Sequence, residues 1–361
     1  MKKTMTYKSR LVRWGMAVLL PVLATGCLME EPELTTDGNV GEDPTAVTVE
    51  ATLSIDLNMP DSKNAEDNTL FVTEDNRYGA RFRVTMAAYE GTSFVGRTVV
   101  YEDFPLTNRF QTRVSMPLHA RNYRLAVWVD YYGDFDDDEI AETDSCYNTF
   151  DFAQIIRPDG KSYIGNNRFE DAFYACQDID LRSYRDDWGA KVPVNMELTR
   201  PVGRFVLRTT DLAKFLNEKV ADVTDGEGDE FQMRLDFNAG LPIGYDVLSD
   251  VTRHAFQGMY INQSLDRHAL EEYVTENPGA GYDLVFDYIL IDKDVTTSIP
   301  VTLRVFRPSH EEDEYARYSF RLQCKRGVNK VIEAPFLTTD PNGGIGFDTE
   351  FDDEINVDLD D

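Results

Sequence analysis

The chain has 361 residues, 42% of them hydrophobic and 12% aromatic, which is enough to bury real cores and suits two domains better than one. Its formal net charge of −29 argues against nucleic acid and anionic lipid surfaces as partners, because both require basic patches that displace counterions. An acidic, solvated surface is the plain reading of that charge.

Lys2, Lys3, Lys8, Arg10 and Arg13 precede an apolar run from Trp14 to Leu23. A membrane-spanning helix needs about 20 apolar residues, so this shorter run reads as a secretory signal occupying residues 1–26. "LATGC", Leu23 to Cys27, resembles the bacterial lipoprotein box, in which the thiol is acylated and the peptide is cut just before it. The resemblance implies that Cys27 becomes the lipidated first residue of the mature chain. Two acyl chains anchor a protein stably where one binds only marginally. Residues 27–45 are acidic, rich in Pro, Gly and Thr, and without hydrophobic period, as a tether is. Glu30 and Glu31 resemble the acidic signal that sends Bacteroidetes lipoproteins to the outer face of the outer membrane, a plain acidic linker being the alternative.

From Val47 the hydrophobic period becomes two. "VTVEATLSIDLNM", "ARFRVTMAAYEG", "GRTVVYEDF", "RFQTRVSMPL", "NYRLAVWVDYY" and "KVPVNMELT" alternate apolar with polar residues and are bounded by turn formers, which predicts half-buried strands. Pro201 and Gly203 open a new segment, so the domain boundary is placed near Arg200, with one β-sandwich over 46–199 and a second over 200–361. The second begins with a strand over 204–208 and a helix in "TTDLAKFLNEKVADV", where Leu212, Phe215, Leu216 and Val220 share a face and Thr210 is the expected N-cap. A second helix fits "SLDRHALEEYV", stopped by "NPG". Strands are expected at "EFQMRLDF", "HAFQGMYI", "YDLVFDYILID", "SIPVTLRVFR", "YARYSFRLQCK" and "NKVIEAPFL". Many short strands with few helices mean a mostly β chain of two tandem β-sandwiches. No repeat of fixed period is visible. The tail "GGIGFDTEFDDEINVDLDD" alternates again, as either the closing strand of the second sandwich or a segment offered to a partner.

"YRLAVWVDYY", "CYNTFDF", "DAFYA" and "VPVNMELTRPVGRFVLRTTDL" together resemble the fimbrillin-like surface lipoproteins of the Bacteroidetes, in a branch whose domain has no assigned function. The resemblance implies transthyretin-like sandwiches, with "LTRPVGRFVLR" marking the passage between them. It also implies a role as pilus anchor, tip or stalk subunit, assembled by strand addition, in which a partner's extended segment completes an open sheet. Stalk subunits of that superfamily are released by cleavage after an early arginine; here the first basic residues after Cys27 are Lys63 and Arg77.

The chemistry-bearing motifs are sparse. His119, His254, His268 and His310 form no zinc-helix pair, "GKS" at 160–162 has Ile155 where a phosphate loop needs glycine, and G-x-S-x-G is absent. With 65 acidic residues, close carboxylate pairs arise by chance, so no catalytic pair and no cofactor is assigned. Cys146 and Cys176 either pair in an oxidising compartment or stand as free thiols. Cys324 has the parity of Tyr318, Phe320 and Leu322 and is expected in the core. Asp134, Asp136 and Asp138 alternate as calcium ligands do, but Glu139 and Ser145 stand where an EF-hand needs glycine and glutamate, so a solvated acidic loop is the first reading and a calcium site the second. The expected function is a non-enzymatic, lipid-anchored outer-membrane surface protein of fimbrillin type. Its expected partners are the outer membrane through Cys27, other pilus subunits, and a host or glycan ligand, without nucleic acid. The alternative is a glycan-binding surface lipoprotein, for which "YEDF", "WVDYY" and "YRDDWG" supply aromatic residues.

Overall fold

A computed structural model describes residues 45–59, 81–103, 105, 107–133, 144–157, 165–220, 230–308 and 310–338. The first half contains β1 (Ala46–Asp56), β2 (Arg81–Glu90), β3 (Ser93–Glu102), β4 (Arg109–His119), β5 (Asn122–Gly133), the two-residue β6 (Asp144–Ser145) and β7 (Ile155–Ile156), β8 (Ala172–Asp180) and β9 (Lys191–Leu198). Along β1 the pleat sends Val47, Val49, Ala51, Leu53 and Ile55 into the core and the residues between them outward. β1 is the middle strand of the sheet β4-β1-β9, antiparallel to β4 from Ala46↔His119 to Asp56↔Arg109 and parallel to β9 from Thr48↔Lys191 to Ile55↔Leu198. The facing sheet runs β3-β2-β5, with β8 antiparallel to β5.

The second half contains β10 (Val202–Thr209), α1 (Leu212–Glu218), β11 (Glu230–Phe237), β12 (Leu241–Asp246), β13 (Val251–Phe256), β14 (Tyr260–Asp266), α2 (Arg267–Glu276), β15 (Tyr282–Leu290), β16 (Thr296–Arg307), β17 (His310–Lys325) and β18 (Asn329–Ala334). It repeats the first half strand for strand. β10 sits between antiparallel β15 and parallel β18 as β1 sits between β4 and β9, and β14-β11-β16-β17 matches β3-β2-β5-β8. The repeat is invisible in the sequence because it is one of strand order and hydrophobic parity, which many residue sets satisfy.

Each half carries an insertion, and the two insertions meet. The segment holding β6 and β7 lies between β5 and β8, and the β12–β13 hairpin lies between β11 and β14. β7 pairs antiparallel with β12 through Tyr245↔Ile155 and Gly244↔Ile156, giving a sheet β13-β12-β7 that joins the halves. The first core runs from Val47 to Val202 and takes in Tyr245, Val247, Tyr288 and Leu290 from the second half. The second core runs from Phe205 to Leu337. Among the described residues no helix is long and apolar enough to cross a membrane.

Several predicted elements need correction. The N-cap position of α1 is Asp211 rather than Thr210, and its carboxylate makes no bond to the helix N–H groups but accepts from Thr338 N at 2.7 Å and Leu337 N at 3.3 Å, tying the helix start to the chain after β18. "HAFQGMYI" is not one strand: Gly258, at φ 79°, turns the chain between β13 and β14. β8 and β12 lack a clean alternation, since β8 runs from buried Ala172–Tyr174 to an exposed polar end and β12 is covered on both faces. Cys324 is buried in the second core as its parity requires.

Candidate functional site

The junction between the halves holds the densest set of buried charges. Arg157, directly after β7, has a side chain that is 0% exposed; its guanidinium donates to the Tyr288 carbonyl at 2.5 Å and to the Glu170 carboxylate, and Asp287 lies 3.6 Å away. Its backbone N–H donates to Ile243 O at 2.7 Å. One side chain from the first insertion thus links β15 to the turn before β8. Burial pushes the Asp287 carboxyl up to about 6, against the pull of Arg157, and raises Glu170 in the same way. Asp130, on β5, is also raised to about 6 by burial, although Arg83 forks onto it at 2.9 and 2.5 Å.

Arg200 is the second clamp. Its Nε donates to Asp171 at 2.9 and 3.0 Å, its other nitrogens donate to the carbonyls of Leu57 and Asn58 at 2.7 Å each, and the guanidinium lies 4.5 Å over the Phe173 ring. The "TRPVGR" stretch therefore grips the chain just beyond β1. Gly203 is required two residues into β10, because a Cβ there would stand 2.3 Å from the Lys325 carbonyl oxygen.

Beside the junction opens a cleft of about 390 Å³ lined by Arg124, Tyr174, Cys176, Asp178, Asp250 and Lys293. Tyr174 donates to Asp250 at 2.6 Å, Tyr245 donates to the same oxygen, and Arg326 bonds Asp250 at 2.9 Å and both tyrosine hydroxyls at 2.8 Å. Burial works to raise the Asp250 carboxyl, but these hydrogen bonds and the Arg326 charge outweigh it and hold it below the usual range. Burial, first, and the bond to Asp250 raise the Tyr245 hydroxyl far above its ordinary value. The cluster spans β8, β12 and the β17–β18 turn, and its groups satisfy one another. Cys176 lines this cleft from the exposed end of β8.

In the structure Cys146 and Cys176 are free cysteines. Ser145 pairs with Tyr132 while Cys176 pairs with Ala126, so the two cysteines sit opposite ends of a stretch of β5 that measures roughly 20 Å at about 3.3 Å per residue. A disulfide spans about 7 Å between Cα atoms at most. Cys146 is buried instead against Asn167, whose Nδ2 lies 3.4 Å from the sulfur.

The aromatic residues offered for glycan stacking divide. Trp128 and Tyr131 of "WVDYY" are buried, Trp128 against Tyr147 and Tyr245. Tyr101 on β3 and Trp188 before β9 are exposed, as is Phe150, which Arg97 overlies at 5.3 Å. No periodicity marks Phe150, which lies outside any strand. Cys27 and the acidic loop of Asp134, Asp136 and Asp138 lie outside the described residues, as do Lys63, Arg77 and the tail. Among the described residues no group of three or more His, Cys, Asp or Glu could hold a metal ion.

Residues 44–360 match a family of unknown function, DUF6562. No curated protein matches the chain. The chain is similar to a candidate adhesin of Bacteroides ovatus at 12% identity, covering 81% of this chain and 91% of that one with a TM-score of 0.41. It is also similar to the fimbrial anchor protein Mfa2 of Porphyromonas gingivalis at 13% identity, covering 76% and 82% with a TM-score of 0.38. A fimbrial assembly protein of Parabacteroides distasonis aligns at 10% identity, over 82% and 94%, with a TM-score of 0.35.

Proposed function

The chain belongs to the DUF6562 family, a family of unknown function, and we propose that it is a non-enzymatic cell-surface protein of fimbrial type, anchored through lipid on Cys27 and joined to other pilus subunits by strand addition. The division into sandwiches over 46–199 and 200–361 belongs to the same proposal. The observation that carries it is the place of β1. A first strand at a sheet edge could be lost with little consequence; β1 is bonded on both sides, to β4 and to β9. Taking it away would leave two rows of unpaired backbone groups facing each other across a groove, and another strand with the same alternation would fill it. Lys63 and Arg77 stand between β1 and β2 in the chain, where cleavage would free β1. The absence of any basic residue between Cys27 and Ser62 favours an anchor or tip that keeps its lipid.

The test is electron microscopy of filaments sheared from cells, labelled with antibody to this protein. Label at filament ends or along the shaft is the expected result. Filaments without label, together with tight and specific retention of one polysaccharide in a binding panel, would replace this reading with glycan binding.

A further inference from the structure

The loop between β8 and β9 is built around two consecutive tight turns. Asp187 N donates to Tyr184 O at 3.0 Å, with Arg185 at φ −59°, ψ 136° and Asp186 at φ 72°, which is a type II turn. Ala190 N then donates to Asp187 O at 3.2 Å, and Gly189 at φ 74° supplies the positive angle at the third position of the second turn. Arg185 and Trp188 occupy the second position of each turn, and both are exposed. Trp188 is 62% exposed. A lone exposed apolar residue is ordinary on a protein surface, so its place in the molecule decides its meaning.

That place is the root of the tether. Gly189 N donates to Ala46 O at 3.0 Å, Thr48 N donates to Ala190 O at 2.8 Å, and Asp186 N donates to Thr45 Oγ1 at 3.2 Å. The loop is thereby pinned to the residues at which the described chain begins. Even fully extended, the segment from Cys27 to Thr45 reaches at most about 60 Å. Arg185 stands in the loop beside Asp186 and Asp187, whereas Arg182 is forked onto Asp180 and Lys191 pairs with Glu50. Trp and Arg are side chains that settle at a lipid–water interface, the indole among the headgroups and the guanidinium on phosphate.

We propose that the Arg185–Trp188 double turn is a membrane-docking loop, which seats the first sandwich against the lipid interface beside the anchor. The inference rests on lipid attachment at Cys27. It is tested with the protein recovered from cells and reconstituted into phosphatidylcholine vesicles, with and without brominated acyl chains. Trp14 leaves with the signal segment and Trp128 is buried, so Trp188 is the responsive fluorophore. On vesicles its emission should shift to the blue, lose quenching by iodide and gain quenching by bromine. Trp188→Phe should abolish all three changes, and Arg185→Glu should weaken the bromine quenching while the protein still floats with the vesicles. A lipid-bearing chain that floats while Trp188 keeps its solution emission and full iodide quenching overturns the docking loop and leaves the anchor reading intact. A chain recovered without lipid, and failing to float, overturns both.

Discussion

Asp287 carries a burden that its neighbours offset only in part. It is fully buried, neither carboxylate oxygen has a hydrogen bond of ordinary geometry, and Arg157 at 3.6 Å is shared with Glu170. Its pKa in the fold, about 6, lies above its ordinary value near 3.8, so the folded state favours the protonated form. The resulting stability is present below pH 4 and is lost as pH rises from about 4 through 6; Asp130 adds to the same slope. Asp287→Asn should therefore raise stability at pH 7 by on the order of 2 kcal/mol and flatten the decline between pH 4 and 6, read from urea midpoints across that range. Arg157→Met should act in the opposite direction. It strands Glu170 and Asp287 together, and a loss of about 3–5 kcal/mol is expected, seen as a lower thermal midpoint at pH 7 that partly recovers at pH 4. Gly203→Ala drives a methyl group into the Lys325 carbonyl and should cost about 1–3 kcal/mol by the same measurement, although alanine is elsewhere the easier residue in a strand.

At the scale of elements, alternation located the strands with one buried face and failed where both faces are covered or where an edge is irregular. β12 is enclosed because the first insertion packs on it, a fact no window around 241–246 contains. β13 is an open edge with four exposed residues at its end, and His254, at φ 53°, falls between the pairs Pro242↔Ala255 and Gly244↔Arg253 with the register unchanged across it. The second sandwich reaches the seven strands of the first by Ala334, with Phe336 and Leu337 completing its core. Deleting residues 346–361 should therefore leave the thermal midpoint within about a degree of the intact protein's, a change well under 1 kcal/mol. A fall of several degrees would make the tail a working part of that sandwich.

At the scale of the whole molecule, the question is whether the chain keeps its first strand. Mass spectrometry of the protein taken from cells should find an acylated Cys27 at the N-terminus, and Cys27→Ala should release the protein from the membrane fraction. A mature chain starting at Tyr78, after Arg77, would instead identify a cleaved subunit whose β1 groove is filled by another molecule. The amino-acid sequence by itself determined the fold class: the alternating segments and the helical face of Leu212, Phe215 and Leu216 are local patterns, and local patterns follow from the pleat and the helical turn. It could not decide that β1 lies between β4 and β9, that the two halves repeat one another, or that Arg157 gathers Glu170 and the Tyr288 carbonyl from positions 13 and 131 residues away. Those are matters of which distant backbone groups find each other, and only the folded chain, which must satisfy every buried donor and charge at once, selects among the pairings that alternation allows.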